Sequence, residues 1–329
     1  METSGRRVFP HPDFGFKEKP CMDVGATRLF EATVIADEGA PVEYKSDDPD
    51  ILAIDDKGNV TALKEGYGEV LAYADGKMAR LGIDVVSIPR GIKGFIAHRG
   101  IRELAPENTI EAFKLALEKK FDYVETDLQV TKDKQLVIMH DKTLKRMMGL
   151  QDMRVCDYTV EELQALPFTG GNHLEDYPDV RVPTFEEYLA LVASSETKPM
   201  IELKDETFCN ENKDMLKEVK KLLDQYDLAS KARITSATRA NILAYEEINE
   251  KSELGYIVEE GDFRDINFLK EHHFMLCWKY KDADYDFLKV LHDEGIVVDL
   301  WVINDKRIAK KLLDWPITSM TSDLIIFTE

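Results

Sequence analysis

The chain has 329 residues, enough for one large domain and a small one. Its net charge of −20 argues against sequence-independent nucleic-acid binding and against adsorption on anionic membranes, both of which need a basic surface. No apolar run reaches the ~18 residues of a membrane span, and the first twenty residues lack the apolar centre of a signal peptide.

Residues 1–24 carry Pro10, Pro12 and Pro20 without a periodic pattern and are expected to be a lead-in segment. Residues 25–88 show short alternating runs at 29–35, 42–45, 51–54, 60–63, 68–74 and 78–86. Turn signals separate them, among them Asp47-Asp48-Pro49-Asp50, Asp56-Lys57-Gly58-Asn59 and Asp75-Gly76. With no helix-length segment between the runs, a small β-sandwich is predicted. The Asp-rich stretch from Asp47 to Asp56 does not have the spacing of an EF-hand and is read as turns. The four cysteines (Cys21, Cys156, Cys209 and Cys277) lie far apart and imply neither a zinc site nor a disulfide framework.

After a linker around residues 87–93, strand and helix patterns alternate through residues 89–329, which predicts a (β/α)8 barrel. Helices are expected at 184–195 (opened by a capping box of Thr184 and Glu187), 214–226, 239–250, 266–272, 285–294 and 307–313. There are nine strand candidates for eight barrel places, and the surplus lies at 123–141, where a tight turn joins two strands. One of these is expected to be a hairpin extension. Residues 144–180 have little periodicity and are read as an inserted lobe over the barrel mouth.

Residues 95–141 carry most of the chemistry. Phe95-Ile96-Ala97 empties into His98-Arg99-Gly100, and Pro106 is expected to open an amphipathic helix with Ile110, Phe113, Leu117 and Phe121 on one face. Glu125 and Asp127 are two residues apart on the next strand, so they share a face. A third apolar run ends in His140-Asp141. Barrels collect reactive groups at the C-terminal ends of their strands, where this chain also offers Glu202, Lys204, Ser236, Trp301 and Asn304. Three carboxylates without a cysteine partner make an oxygen-rich site suited to Ca2+ or Mg2+. Together they would repel unless a divalent cation or an ion-pair network with Arg99 and Lys204 compensated them. Two histidines near neutral pKa can act as acid and base.

The ordered elements His98-Arg99-Gly100, Pro106-Glu107-Asn108-Thr109, Glu125-Thr126-Asp127 and His140-Asp141 resemble those of the glycerophosphodiester phosphodiesterase family. The resemblance implies a metal held by Glu125, Asp127 and Glu202, with His98 and His140 as the catalytic acid/base pair. It further implies phosphate or substrate contacts from Arg99, Lys204, Asn108 and Trp301, and attack by the substrate glycerol hydroxyl on its own phosphate. The residues alone leave direct attack by water equally open. The chain departs from the family pattern at Ala237 after Ser236, at Trp301-Val302-Ile303-Asn304, and at Thr321-Ser322-Asp323-Leu324. His173, His272, His273 and His292 match no motif position and are read as surface or packing residues.

The stretch 42–76 is similar to a bacterial Ig-like domain of the second type (group 2). That similarity implies a secreted or cell-surface bacterial protein from which a leader has been removed; Met1 as the native start would instead imply a cytoplasmic one. The expected function is metal-dependent hydrolysis of small-molecule glycerophosphodiesters to glycerol phosphate and an alcohol. The alternatives are a lysophospholipase D or wall-polymer phosphodiesterase on the same scaffold, and an inactive cell-surface binding protein.

Overall fold

The computed structural model describes residues 20–30, 41–204, 208 and 213–328. These fall into two compact units. One holds the described part of residues 1–90 together with 305–311 and 327–328; the other holds 91–304 and 312–326.

The first unit contains β1 (Cys21–Asp23), β2 (Thr27–Leu29), β3 (Glu43–Ser46), β4 (Leu52–Ile54), β5 (Asn59–Ala62), β6 (Gly66–Ala74) and β7 (Lys77–Val86). They make a four-stranded sheet, β1-β7-β6-β3, and a three-stranded sheet, β2-β5-β4. Alternate residues of both sheets point inward, so Met22, Leu52, Val60, Ala62, Val70, Ala72, Ile83 and Val85 form one apolar core. Asp75 and Gly76, both at positive φ, form the two-residue loop between β6 and β7 that matches the twist of a tight hairpin. The expected lead-in segment is corrected at Cys21–Asp23, which pairs in parallel with β7. A three-residue strand leaves no alternation for the sequence to display. Of the expected strand at 29–35, residues 31–35 lie outside the described residues. The late segment 305–311 belongs to this unit, with Arg307 Nη1 3.3 Å from Asp84 and Lys310 Nζ 2.7 Å from Glu65.

The second unit is an eight-stranded parallel barrel. Its strands are β8 (Gly94–Ala97), β9 (Tyr123–Val130), β11 (Lys198–Leu203), β12 (Arg233–Ser236), β13 (Glu253–Val258), β14 (Met275–Lys279), β15 (Val298–Trp301) and β16 (Ser319–Ser322). It closes because β8 pairs in parallel with both β16 and β9. The surplus strand is β10 (Leu136–Ile138), antiparallel to the end of β9. The first helix begins at Ile110, not at Pro106: Thr109 caps it, accepting from Ala112 N, and buries Ala112, Phe113 and Ala116. Gly100, at positive φ, lies so close to this helix that a Cβ would meet Ala112 at 2.6 Å. The helix expected at 239–250 is shorter, Arg239–Glu246. The segment that follows β10 builds its own apolar cluster from Leu144, Met147, Met148, Val155, Leu163 and Phe168.

Candidate active site

Barrel topology gathers the motif residues at one end. His98 and Arg99 directly follow β8, Glu125 and Asp127 face inward from β9, and Glu202 lies on β11 in register with Asp127. His140 follows β10, and Trp301 ends β15. His98, Arg99, Glu125, His140, Glu202, Lys204 and Trp301 all line one cavity of about 100 Å³.

Ligand atoms from Glu125, Asp127 and Glu202 lie within 4.8 Å of one another. Glu125 Oε2 accepts the Arg99 backbone N–H at 2.9 Å. Asp127 Oδ2 accepts from the Asn108 amide at 2.7 Å, and Lys204 Nζ donates to Glu202 Oε1 at 2.9 Å. Among the described residues, Asp127 Oδ1 is buried with no hydrogen-bond partner. Burial, reinforced by the charges of Asp127 and Glu202, pushes the Glu125 carboxyl well up. Burial and the Asp127 charge also raise Glu202, against the pull of Lys204. Asp127 is held low despite its burial, chiefly by Arg99, His140 and Lys204. A carboxylate oxygen without a hydrogen bond, with Lys204 Nζ 3.7 Å away, beside two carboxylates whose ionisation is disfavoured makes a set of hard oxygen donors that fits a divalent cation.

Both histidines are oriented alike. His98 Nδ1 faces Asp323 Oδ1 at 2.7 Å, and His140 Nδ1 faces Asp141 Oδ1 at 2.6 Å. A carboxylate at Nδ1 selects the tautomer with its proton there and leaves Nε2 for chemistry. Burial, with Arg99 adding to it, holds His98 below the usual imidazole value against the opposing pull of Asp323. Asp323 is fixed in turn by Asn304 Nδ2 at 2.7 Å. Gln129 Nε2 donates to the backbone oxygens of Met139, His140 and Asp141 and so fixes the loop that carries the second histidine.

Sequence reasoning gave no role to Asp323 or Glu107. Glu107 is 5 % exposed and takes Arg99 at 2.9 Å, Arg146 at 2.7 Å and Arg102 at 3.4 Å. Burial would raise its carboxyl, but the Arg146 hydrogen bond and the three guanidinium charges hold it down to about 2. Asn108 is buried at positive φ, its amide nitrogen bound to Asp127 and its oxygen accepting from Thr126, so it props the carboxylate. Ser236 is likewise buried, its hydroxyl donating to Leu203 O. His173 and His292 are exposed and His272 pairs with Glu246, all outside the cavity.

The glycerophosphoryl diester phosphodiesterase family matches residues 98–326. The chain belongs to this family. It is therefore a phosphoric diester hydrolase. A glycerophosphodiester phosphodiesterase of Bacillus altitudinis is 25 % identical over 233 residues, covering 69 % of this chain and 93 % of that one. One from Caldanaerobacter subterraneus subsp. tengcongensis is 40 % identical over 109 residues, 33 % of this chain and 44 % of its own length. Among solved structures, a phosphodiesterase of Oleispira antarctica in complex with the product sn-glycerol-3-phosphate superimposes with a TM-score of 0.64 at 23 % identity, covering 72 % of this chain and 93 % of that one. That likeness carries the fold.

Proposed function

We propose that the protein hydrolyses glycerophosphodiesters to glycerol phosphate and an alcohol, with a divalent cation at Glu125, Asp127 and Glu202 and with His98 and His140 as the acid/base pair. The observation that carries the proposal is the convergence of two carboxylate-oriented imidazoles and two cations on one cavity, with three clustered carboxylates, two of them lining it. The product complex of the Oleispira antarctica phosphodiesterase supports the substrate class.

A divalent cation bound to the three carboxylates would offset their mutual repulsion and polarise the phosphoryl oxygens. Arg99 and Lys204 add fixed positive charge at the same wall, where charge grows on those oxygens in the transition state. Glu107 and Asn108 keep Arg99 and Asp127 in place. With Nδ1 held by Asp323 or Asp141, each Nε2 can carry or accept a proton. One imidazole takes the proton from the attacking oxygen and the other delivers one to the departing alcohol oxygen.

The test is product identification. Incubation with glycerophosphocholine and glycerophosphoethanolamine should release glycerol phosphate and the free alcohol, and failure to cleave any glycerophosphodiester would remove the substrate assignment. We further assign the N-terminal sheets to an Ig-like module on a secreted or surface-attached protein. Fractionation of the producing cell checks that placement, and recovery in the cytosol alone would contradict it.

A further inference from the structure

The carboxylates behind the two imidazoles are held in different ways. Asp323, behind His98, is fixed by the Asn304 amide at 2.7 Å, and its own backbone N–H donates to Asn304 Oδ1 at 3.0 Å. Asp141, behind His140, has no such amide. Among the described residues its carboxylate hydrogen-bonds only His140 and Arg146. Arg146 Nε donates to Asp141 Oδ2 at 2.8 Å, and Nη2 donates at 3.0 Å to Oδ1, the oxygen that faces His140. The other edge of the same guanidinium takes Glu107, Nη1 to Oε2 at 2.9 Å and Nη2 to Oε1 at 2.7 Å. Paired contacts of this kind fix the plane of each carboxylate, which a point charge cannot do. Arg146 is carried by a short helix, Lys145–Met148, whose Met147 and Met148 are buried in the apolar cluster of the segment after β10. Gly170 packs so closely over it that a Cβ would meet Arg146 O at 2.3 Å.

We propose that Arg146 is a positioning residue for His140: it locks the Asp141 carboxylate so that Oδ1 stays on Nδ1 and Nε2 stays free for chemistry. This rests on the acid/base reading above. The side chains of His140 and Asp141 are 29 % and 24 % exposed, so water competes for both ends of their bond whenever the carboxylate turns. Gln129 holds the backbone oxygen of His140, which leaves the imidazole itself to rotate about its side-chain bonds. The guanidinium removes that freedom by holding Asp141, and its Glu107 side is anchored in turn by Arg99 at 2.9 Å. The segment after β10 thereby acquires a task in the reaction. Its apolar cluster sets the place of the guanidinium, and the guanidinium sets the imidazole. Without Arg146, Glu107 still has Arg99 and Arg102, so the positive charge that faces the phosphoryl group persists while the hold on His140 is lost.

The experiment uses metal-loaded full-length protein. Arg146→Met should lower kcat for glycerophosphocholine by about tenfold to a hundredfold, the scale for outer partners that orient a reacting group, with KM changed less than about threefold. The same substitution should cost less than about twofold in His140→Ala and the full factor in His98→Ala, because only the first has already lost what Arg146 orients. Arg146→Lys keeps the charge without the paired geometry. It should recover only part of the rate, and it serves where the methionine variant does not fold. NMR reads the geometry without turnover: the downfield Nδ1–H resonance that His140→Ala removes should be present in wild type and lost to exchange with water in Arg146→Met. Wild-type kcat in Arg146→Met, a rise in KM at constant kcat, or the full loss in His140→Ala overturns the inference. So does a resonance absent from wild type or unchanged in the variant. A resonance that depends on Arg146 in a protein that cleaves no glycerophosphodiester would sustain the positioning and defeat the activity. Turnover with a resonance indifferent to Arg146 would do the reverse.

Discussion

In the N-terminal unit the side chains fully removed from water include Met22, Leu52, Val60 and Ile83, whereas the end of the barrel that carries the site buries Glu107, Glu125, Asp127 and Asp299 to 6 % exposure or less. The first set stabilises simply by leaving solvent, at about 25 cal/mol per Å² of apolar surface. The second costs free energy unless each charge finds partners. Glu107 finds three arginines. Among the described residues, Asp127 pairs with Arg99 and Lys204 and Glu202 with Lys204, and one oxygen of Asp127 has no hydrogen bond. A core built for stability alone would not collect such groups. The difference marks which buried residues serve the fold and which are held there for chemistry.

The widest separation between the two is expected at the imidazoles. His98→Ala and His140→Ala should each lower kcat by roughly 10²–10⁴-fold, the usual effect of removing a general acid or base, while the melting temperature stays near wild type. Near-normal turnover in both variants would undo the acid/base assignment. The opposite signature belongs to Leu52→Ala: a loss of about 2–5 kcal/mol in unfolding free energy, with kcat unchanged wherever the protein remains folded. A fall in kcat under those conditions would show that the N-terminal core influences catalysis.

Glu107 lies between these extremes, a charge paired well enough to stabilise. Its folded carboxyl is lowered to about 2 from 4.5, so its contribution is complete above about pH 4.5 and is lost as pH falls through about 2. Acid titration of stability should therefore show a loss of roughly 3 kcal/mol in that window, absent in Glu107→Gln. An identical acid profile in the variant would mean that Glu107 is not the titrating group. The smallest effect is expected at Glu125→Gln. Removing one of three clustered charges should raise the melting temperature of metal-stripped protein by a few degrees, about 1 kcal/mol, and abolish its stabilisation by added cation. A drop in that temperature would indicate that the carboxylates are not in repulsive surplus.

The half of the site contributed by residues 98–141 was legible in the chain because its parts are local: strand, helix, strand, with reactive groups at the ends and Glu125 and Asp127 two apart. The alternation of elements likewise made the barrel legible, and the tight turn after β9 marked where a strand would fall outside it. Asp323 was not legible as a partner of His98, from which it is 225 residues distant, because only closure of β16 against β8 brings the two together. The bond from Asn108 to Asp127 was not legible either, because it depends on the positive φ that turns the amide onto that carboxylate. The three arginines on Glu107 converge from Arg99, Arg102 and Arg146, and no charge pattern along the chain announces the meeting.

The most direct test of a cation-dependent phosphodiester site is the rate of glycerol phosphate release from glycerophosphocholine by protein stripped with a chelator, before and after addition of Mg2+ or Ca2+. The rate should fall to background on stripping and return on addition, and Glu125→Gln and Glu202→Gln should not recover at the same cation concentration. Full activity in the thoroughly stripped protein would contradict the assignment of the three carboxylates.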